Sequence, residues 1–292
     1  MKRKTIGFIN GTIAAASYGT NPLFALPLYA RGLNVNSVLF YRYAIAVLTY
    51  ALWLKFVKKM SFKITKKELL PIFALGVLYS ISSITLFSSF QFIEAGVACT
   101  ILFIYPVIVA LIMSIFFKEK LTKTVIGSIF LTSIGILLLY KGKNGISLNI
   151  NGIILVLFSA LSYALYMIGI NTIKPIQKIN RAKLTFYVMT AGLTVYIYNI
   201  LTTTPLQTLS TPSMWVFAIG LALFPTIISL ETITISIKLI GSTTTAILGA
   251  LEPLTAIFFG IIFFHEQMTV RIASGVILIL IGVFQIILKK KK

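Results

Sequence analysis

The chain has 292 residues, 58% of them hydrophobic and only 11% charged, with a formal net charge of +20. Ordinary globular domains carry about 45–50% apolar and about 25% charged residues, so this composition excludes a water-soluble protein of the usual kind. The basic residues sit in short clusters between long apolar runs, as in membrane proteins, so nucleic acid is not expected as the partner of this charge.

Runs of about 17–25 mostly apolar residues are long enough to cross the hydrocarbon core as helices. Ten such spans are predicted. The first, Ile6–Tyr29, follows Lys2-Arg3-Lys4 in the manner of a signal peptide, but it is too long for the apolar core of one and reads as an uncleaved span. Asn21-Pro22 and Pro27 disturb it. Val35–Val57 carries Arg42, and Leu69–Phe90 follows. The fourth span, Ala95–Phe117, has Pro106 near its middle, and the fifth is the short Thr122–Tyr140. Next come Ile150–Asn171, Lys183–Leu201, and Met214–Ile237 with Pro225 and Glu231. The ninth, Gly241–Phe264, holds Glu252-Pro253, and the tenth is Ile272–Leu288. The short connections leave no room between spans for a soluble domain.

Lysine and arginine set the direction. With the N-terminus inside, 21 of the 26 basic residues fall in cytoplasmic segments, against only Arg31, Lys141, Lys143 and Arg271 outside, with Arg42 left in a span. Both termini are therefore expected in the cytoplasm.

The chain also contains itself twice. A shift of 147 places Pro106 on Pro253, Glu119 on Glu266, Thr122 on Thr269 and Gly135 on Gly282, with no gap. Earlier in each half the shift is 145, which places Gly7 on Gly152 and Ser17-Tyr18 on Ser162-Tyr163, then 146 for Phe40-Tyr41 on Phe186-Tyr187. The halves are residues 1–145 and 146–292. Five spans each is an odd number, so the second half enters the membrane from the opposite face and forms an inverted repeat. The fold expected is an all-α membrane protein of ten transmembrane helices in two inverted five-helix repeats.

Specific motifs recur at the ends of the halves. The first has Tyr105-Pro106, then Phe116-Phe117-Lys118-Glu119-Lys120-Leu121-Thr122, then Gly127 and Gly135. The second has Glu252-Pro253, then Phe263-Phe264-His265-Glu266-Gln267-Met268-Thr269, then Gly275 and Gly282, and span two carries Phe40-Tyr41-Arg42-Tyr43-Ala44. These residues resemble the EamA-type branch of the drug/metabolite transporter superfamily over essentially the whole chain. The resemblance implies a carrier of metabolites or drugs, frequently an exporter of amino acids. It also implies a central cavity lined mainly by spans one, three, four, six, eight and nine, and a structural role for Arg42, bridging backbone carbonyls or pairing with a carboxylate. Two departures stand out: His265 replaces a small residue, and Glu252 stands where Tyr105 stands in the other half.

Candidate site residues follow from depth and chemistry. Pro106 and Pro253 each remove a backbone donor in mid-span, and matched breaks in two repeats point to a transport site; Pro22 and Pro225 act similarly. Glu252 lies near the bilayer midplane, where a carboxylate faces a cavity or a partner. It is expected to bind a substrate ammonium or to serve as a protonatable coupling group, against the alternative of a structural pair. Glu231 is a second cavity carboxylate or snorkels towards Lys238. Tyr18, Asn21, Tyr79, Tyr105, Tyr163 and Tyr166 fall on the cavity-lining spans and offer polar tips on apolar bodies. Glu119 and Glu266 suit capping of the helices that follow them. The four motif glycines suit close helix packing. Cys99, alone in the chain, excludes an internal disulfide and is expected to be a small buried packing residue.

No cofactor and no metal site is expected, since the chain has one histidine and no aspartate. Without a P-loop, any energy comes from a gradient. The function expected is alternating-access transport of small metabolites, amino acids or related compounds and drugs, outward across the bacterial cytoplasmic (inner) membrane, uncoupled or proton-coupled. The protein is expected in the lipid bilayer as a monomer or homodimer and not as an enzyme. The alternatives are a flippase for an amphiphilic lipid and a membrane-embedded lipid-modifying enzyme.

Overall fold

The computed structural model describes residues 3–93, 95–139, 149–264 and 270–289. Every regular element among the described residues is a helix. In the first half these are α1 (Arg3–Tyr18), α2 (Asn21–Ala30), α3 (Val35–Leu52) with a π-helical extension at Trp53–Val57, α4 (Lys66–Ser89), α5 (Ala95–Leu102), α6 (Tyr105–Phe117) and α7 (Lys123–Leu139). The second half has α8 (Ile150–Thr172), the single-turn α9 (Lys174–Lys178), α10 (Arg181–Thr202) and α11 (Pro212–Ala222), which runs through a π-helical turn at Leu223–Ile228 into α12 (Ser229–Ile240). It ends with α13 (Ser242–Leu248), α14 (Leu251–Phe264) and α15 (Val270–Lys289). Helices lie on each of the ten apolar stretches. Five continuous stretches, Val35–Val57, Lys66–Ser89, Ile150–Thr172, Arg181–Thr202 and Pro212–Ile240, are long and apolar enough to cross a membrane by themselves.

Several helices start two or three residues before the apolar run does, because polar caps set their ends. Thr65 and Glu68 form a capping box, with Thr65 N donating to Glu68 Oε2 at 2.7 Å. The side chains of Asn180 and Thr211 accept from Ala182 N and Met214 N at the starts of α10 and α11. Glu119 departs from expectation. Thr122 caps α7 by accepting from Val125 N, while Glu119 Oε2 accepts from Thr243 Oγ1 at 3.1 Å, in the other half. The end of α6 lies beside α13, a neighbour that local spacing does not reveal. His265, Glu266 and Thr269 lie outside the described residues.

Prolines break the first and fourth stretches. Pro22 and Pro106 each stand in the first turn of a restarting helix, after Gly19-Thr20 and Phe103-Ile104 respectively, where the missing N–H is harmless. The ninth stretch breaks at Gly249-Ala250, just ahead of Glu252-Pro253. Pro225 acts differently. Its missing donor leaves the Leu221 carbonyl free, and Thr226 Oγ1 donates to it at 2.7 Å, so the helix continues through the π-helical turn.

The two halves interlock with matching contacts. Ser159 Oγ donates to the Ser82 carbonyl at 2.7 Å, and at the corresponding place Ser229 Oγ donates to the Ala14 carbonyl at 3.2 Å. Gly152 abuts Ile93 as Gly7 abuts Ile240, and Gly135 abuts Gly275 as Gly282 abuts Ser128. Along α7 and α15, which pack on each other, Ser128 meets Gly282 while Gly135 meets Gly275, so the paired helices run antiparallel.

Candidate functional site

The three broken helices meet at one place. There a cleft lies between the halves. Tyr18, Gly19, Asn21 and Pro22 line it from the first break, Leu86 of α4 and Phe90 just past its end from the third stretch, Cys99, Leu102 and Phe103 from the second break, and Glu252 and Pro253 from α14. Gly19 permits the close approach of α1 to α14: an added Cβ would collide with the Glu252 carbonyl and sit 2.9 Å from Thr255 Cβ. The walls are chiefly apolar and aromatic, with two polar groups among them, as small-molecule sites generally are.

Those two are Glu252 and Asn21. Tyr105 Oη donates to Glu252 Oε1 over a long 3.3 Å, and among the described residues no lysine, arginine or histidine pairs with that carboxylate. Asn21 is 3% exposed, and among the described residues neither its Oδ1 nor its Nδ2 has a partner. Buried polar groups are normally satisfied, so an amide left open on a cleft wall is an exception that keeps a donor and an acceptor unused.

Tyr105 and Glu252 stand 147 residues apart, which makes them counterparts in the repeat, and here they touch. Tyr18 and Tyr163, counterparts at 145, also touch, as stacked rings 5.9 Å apart. Two repeat-related pairs in mutual contact place this site on the pseudo-two-fold axis between the halves. Behind it Tyr163 meets Tyr105 edge-on at 4.9 Å, and Tyr79 lies 5.0 Å from Tyr166 and 6.3 Å from Tyr163. Tyr79, Tyr105, Tyr163 and Tyr166 are at most 2% exposed and pack behind the wall; only Tyr18 of the five candidate tyrosines lines the cleft.

The remaining candidates are divided. Pro22 and Pro253 line the cleft; Pro106 and Pro225 do not. Arg42 is fully buried, its Nε donating to Thr226 Oγ1 at 2.6 Å and its Nη2 to the Pro225 carbonyl at 3.0 Å. Glu231 accepts from Tyr50 Oη at 2.5 Å and lies within electrostatic reach of Lys238, which donates to the carbonyls of Ile176 and Ile179; Glu231 is not among the residues that line the cleft. Cys99 is half-buried on the cleft wall rather than a packing residue in the interior. Its sequence neighbours are apolar, and the groups it faces come from other helices. Its position two turns ahead of Pro106 is the signal that would have marked it.

A duplicated helical bundle whose broken helices converge on a central cleft defines a membrane transporter of the two-repeat class. The profile of the EamA-like transporter family matches residues 5–141 and again 150–288. The chain belongs to that family. It is 22% identical over 267 residues, 91% of this chain and 93% of the other, to a protein of Archaeoglobus fulgidus described as an uncharacterized transporter. A solved crystal structure superposes with a TM-score of 0.82 over 98% of this chain and 99% of that one, at 14% identity, a likeness of fold alone. The protein is a multi-pass α-helical membrane transporter.

Proposed function

We propose that the protein carries small amine-bearing metabolites, amino acids or related compounds, and drugs of similar chemistry, out of the cell by alternating access. The observation that carries this is Glu252: a carboxylate on the wall of an apolar, aromatic cleft, at the contact between the repeats, with no cationic partner among the described residues. An intramembrane carboxylate without a protein cation calls for a ligand cation or a proton. Tyr18, Phe90 and Phe103 offer ring faces to the body of such a ligand, and Asn21 offers a donor and an acceptor.

The repeats are inverted in this reading, in keeping with the antiparallel run of α7 and α15. Exchanging the conformations of the halves then closes the present cleft and opens its counterpart. The lysine and arginine bias supports cytoplasmic termini and, with them, a present mouth on the outer side; the membrane in this reading is the bacterial cytoplasmic one. Transport is uncoupled or coupled to protons. The test is purified protein in liposomes with labelled amino acids, cationic drugs and purine metabolites, with and without a pH gradient. Amine-bearing compounds are expected to move, and Glu252→Gln to slow them by about tenfold or more, equivalent to about 1.4 kcal/mol. Transport of equal rate in that variant, under both gradients, would sink the reading. Lipid movement without any soluble substrate would favour a flippase.

A further inference from the structure

We propose that Tyr105 is the positioning residue of the cleft carboxylate, and that position 249 lacks a side chain because Tyr105 must reach past it. This rests on the reading of Glu252 as the group that meets the ligand. The Tyr105 ring is 1% exposed and held edge-on between Phe103, at 5.8 Å, and Tyr163, at 4.9 Å. Its hydroxyl therefore has little freedom, and it ends at Glu252 Oε1. A carboxylate on a single flexible stem would otherwise spread over several rotamers. One fixed donor selects among them and leaves the second oxygen to the cleft.

Gly249 supports this independently. Its backbone is right-handed helical, with φ −57° and ψ −18°, a conformation open to any residue, so no backbone demand selects glycine there. Space does. An added Cβ would collide with Tyr105 Oη and lie 2.8 Å from Tyr105 Cζ, as well as 2.9 Å from the Ala246 carbonyl oxygen. The repeat counterparts are complementary: long Tyr105 faces bare Gly249, whereas Leu102, the counterpart of Gly249, shares a wall with the shorter Glu252. Size is exchanged across the axis, which is what a side chain crossing from one repeat to the other requires.

Cys99, the sole cysteine of the chain, lines the same cleft and reports its charge without a known substrate. The measurement uses full-length protein in detergent and two methanethiosulfonates of similar size, one bearing trimethylammonium and the other sulfonate. The ratio of their rates at Cys99 is divided by the ratio for free 2-mercaptoethanol, which cancels reagent reactivity. Wild type is expected to favour the cation on the order of tenfold, and Glu252→Gln to return the ratio to within about twofold of the free thiol. Tyr105→Phe and Gly249→Ala should each move the ratio several-fold towards the Glu252→Gln value. The double variant should move it no further than Tyr105→Phe alone, since both substitutions remove one contact.

A wild-type ratio in Tyr105→Phe overturns the proposal. So does a Gly249→Ala effect that adds to that of Tyr105→Phe, which would assign it to the Ala246 carbonyl. If Gly249→Ala fails to fold alone but folds beside Tyr105→Phe, the rescue supports the collision. Should Glu252→Gln itself leave the ratio unchanged, the reading of Glu252 fails, and that result is distinct from the others.

Discussion

Arg42 shows how a single buried charge can hold a broken element together. Its guanidinium lies 5.4 Å from the Phe87 ring centroid and 5.7 Å from that of Tyr43, and it grips the π-helical turn through Thr226 and the Pro225 carbonyl. Thr226 bonds both ways, accepting from Arg42 and donating to the carbonyl that Pro225 leaves open. Arg42→Leu leaves the groups around the turn unpaired, and a loss of about 3 kcal/mol or more in unfolding free energy is expected. Thr226→Val should lose about 1–3 kcal/mol, and Thr226→Ser, which keeps the hydroxyl, much less. Chemical denaturation in detergent measures all three. For Arg42 the expectation of a structural role came with the family resemblance. Its partners lie 183 and 184 residues away in sequence, and no local pattern marks them.

Among elements, the α7–α15 pair separates residues that the sequence groups together. Gly127, Gly135, Gly275 and Gly282 all look like packing glycines, yet their surroundings differ. A Cβ at Gly135 would sit 2.7 Å from Ile279 Cγ1 and 2.8 Å from the Gly275 carbonyl, whereas at Gly127 the nearest atom is 3.7 Å away. Gly135→Ala should therefore destabilise by about 1–3 kcal/mol through overpacking. Gly127→Ala should be neutral or stabilise by about 0.5–1 kcal/mol, the helix-propensity gain of alanine. Thermal unfolding of the two variants side by side checks this. Helix existence was legible here because apolar runs of span length have one solution in lipid. Helix ends were less so, since caps such as Thr65–Glu68 and Thr211 lie outside the apolar runs. The true partner of Glu119 was not legible at all, because Thr243 reaches it only once the halves are docked.

At the scale of the molecule, the repeat was the clearest signal in the sequence, and it marked Tyr105 and Glu252 as a position where the two copies differ. What it could not show is that these two residues touch, because the position of an axis is fixed by docking and not by register. The same correspondence predicts the other cleft. Ala246 is the counterpart of Cys99, and it is fully buried here. In a Cys99→Ser background, Ala246→Cys should alkylate slowly in the conformation described, and its rate should rise whenever that of Cys99 in the parent protein falls. Alkylation of both proteins with saturating substrate on either face of proteoliposomes tests this opposition; rates that rise and fall together would rule it out.

The contact between Tyr105 and Glu252 also bears on why the two halves share one chain. A residue on a two-fold axis meets its own copy, so a symmetric dimer of identical five-helix subunits would set either two phenols or two acids against each other there. Two acids in contact cannot both ionise. They hold a proton between them, and the charge offered to a cation is blurred. Joining the halves covalently lets one copy become glutamate while the other stays tyrosine. A lone acid at the centre of a symmetric scaffold is thus a property that only a fused pair, or a pair of unlike subunits, can possess.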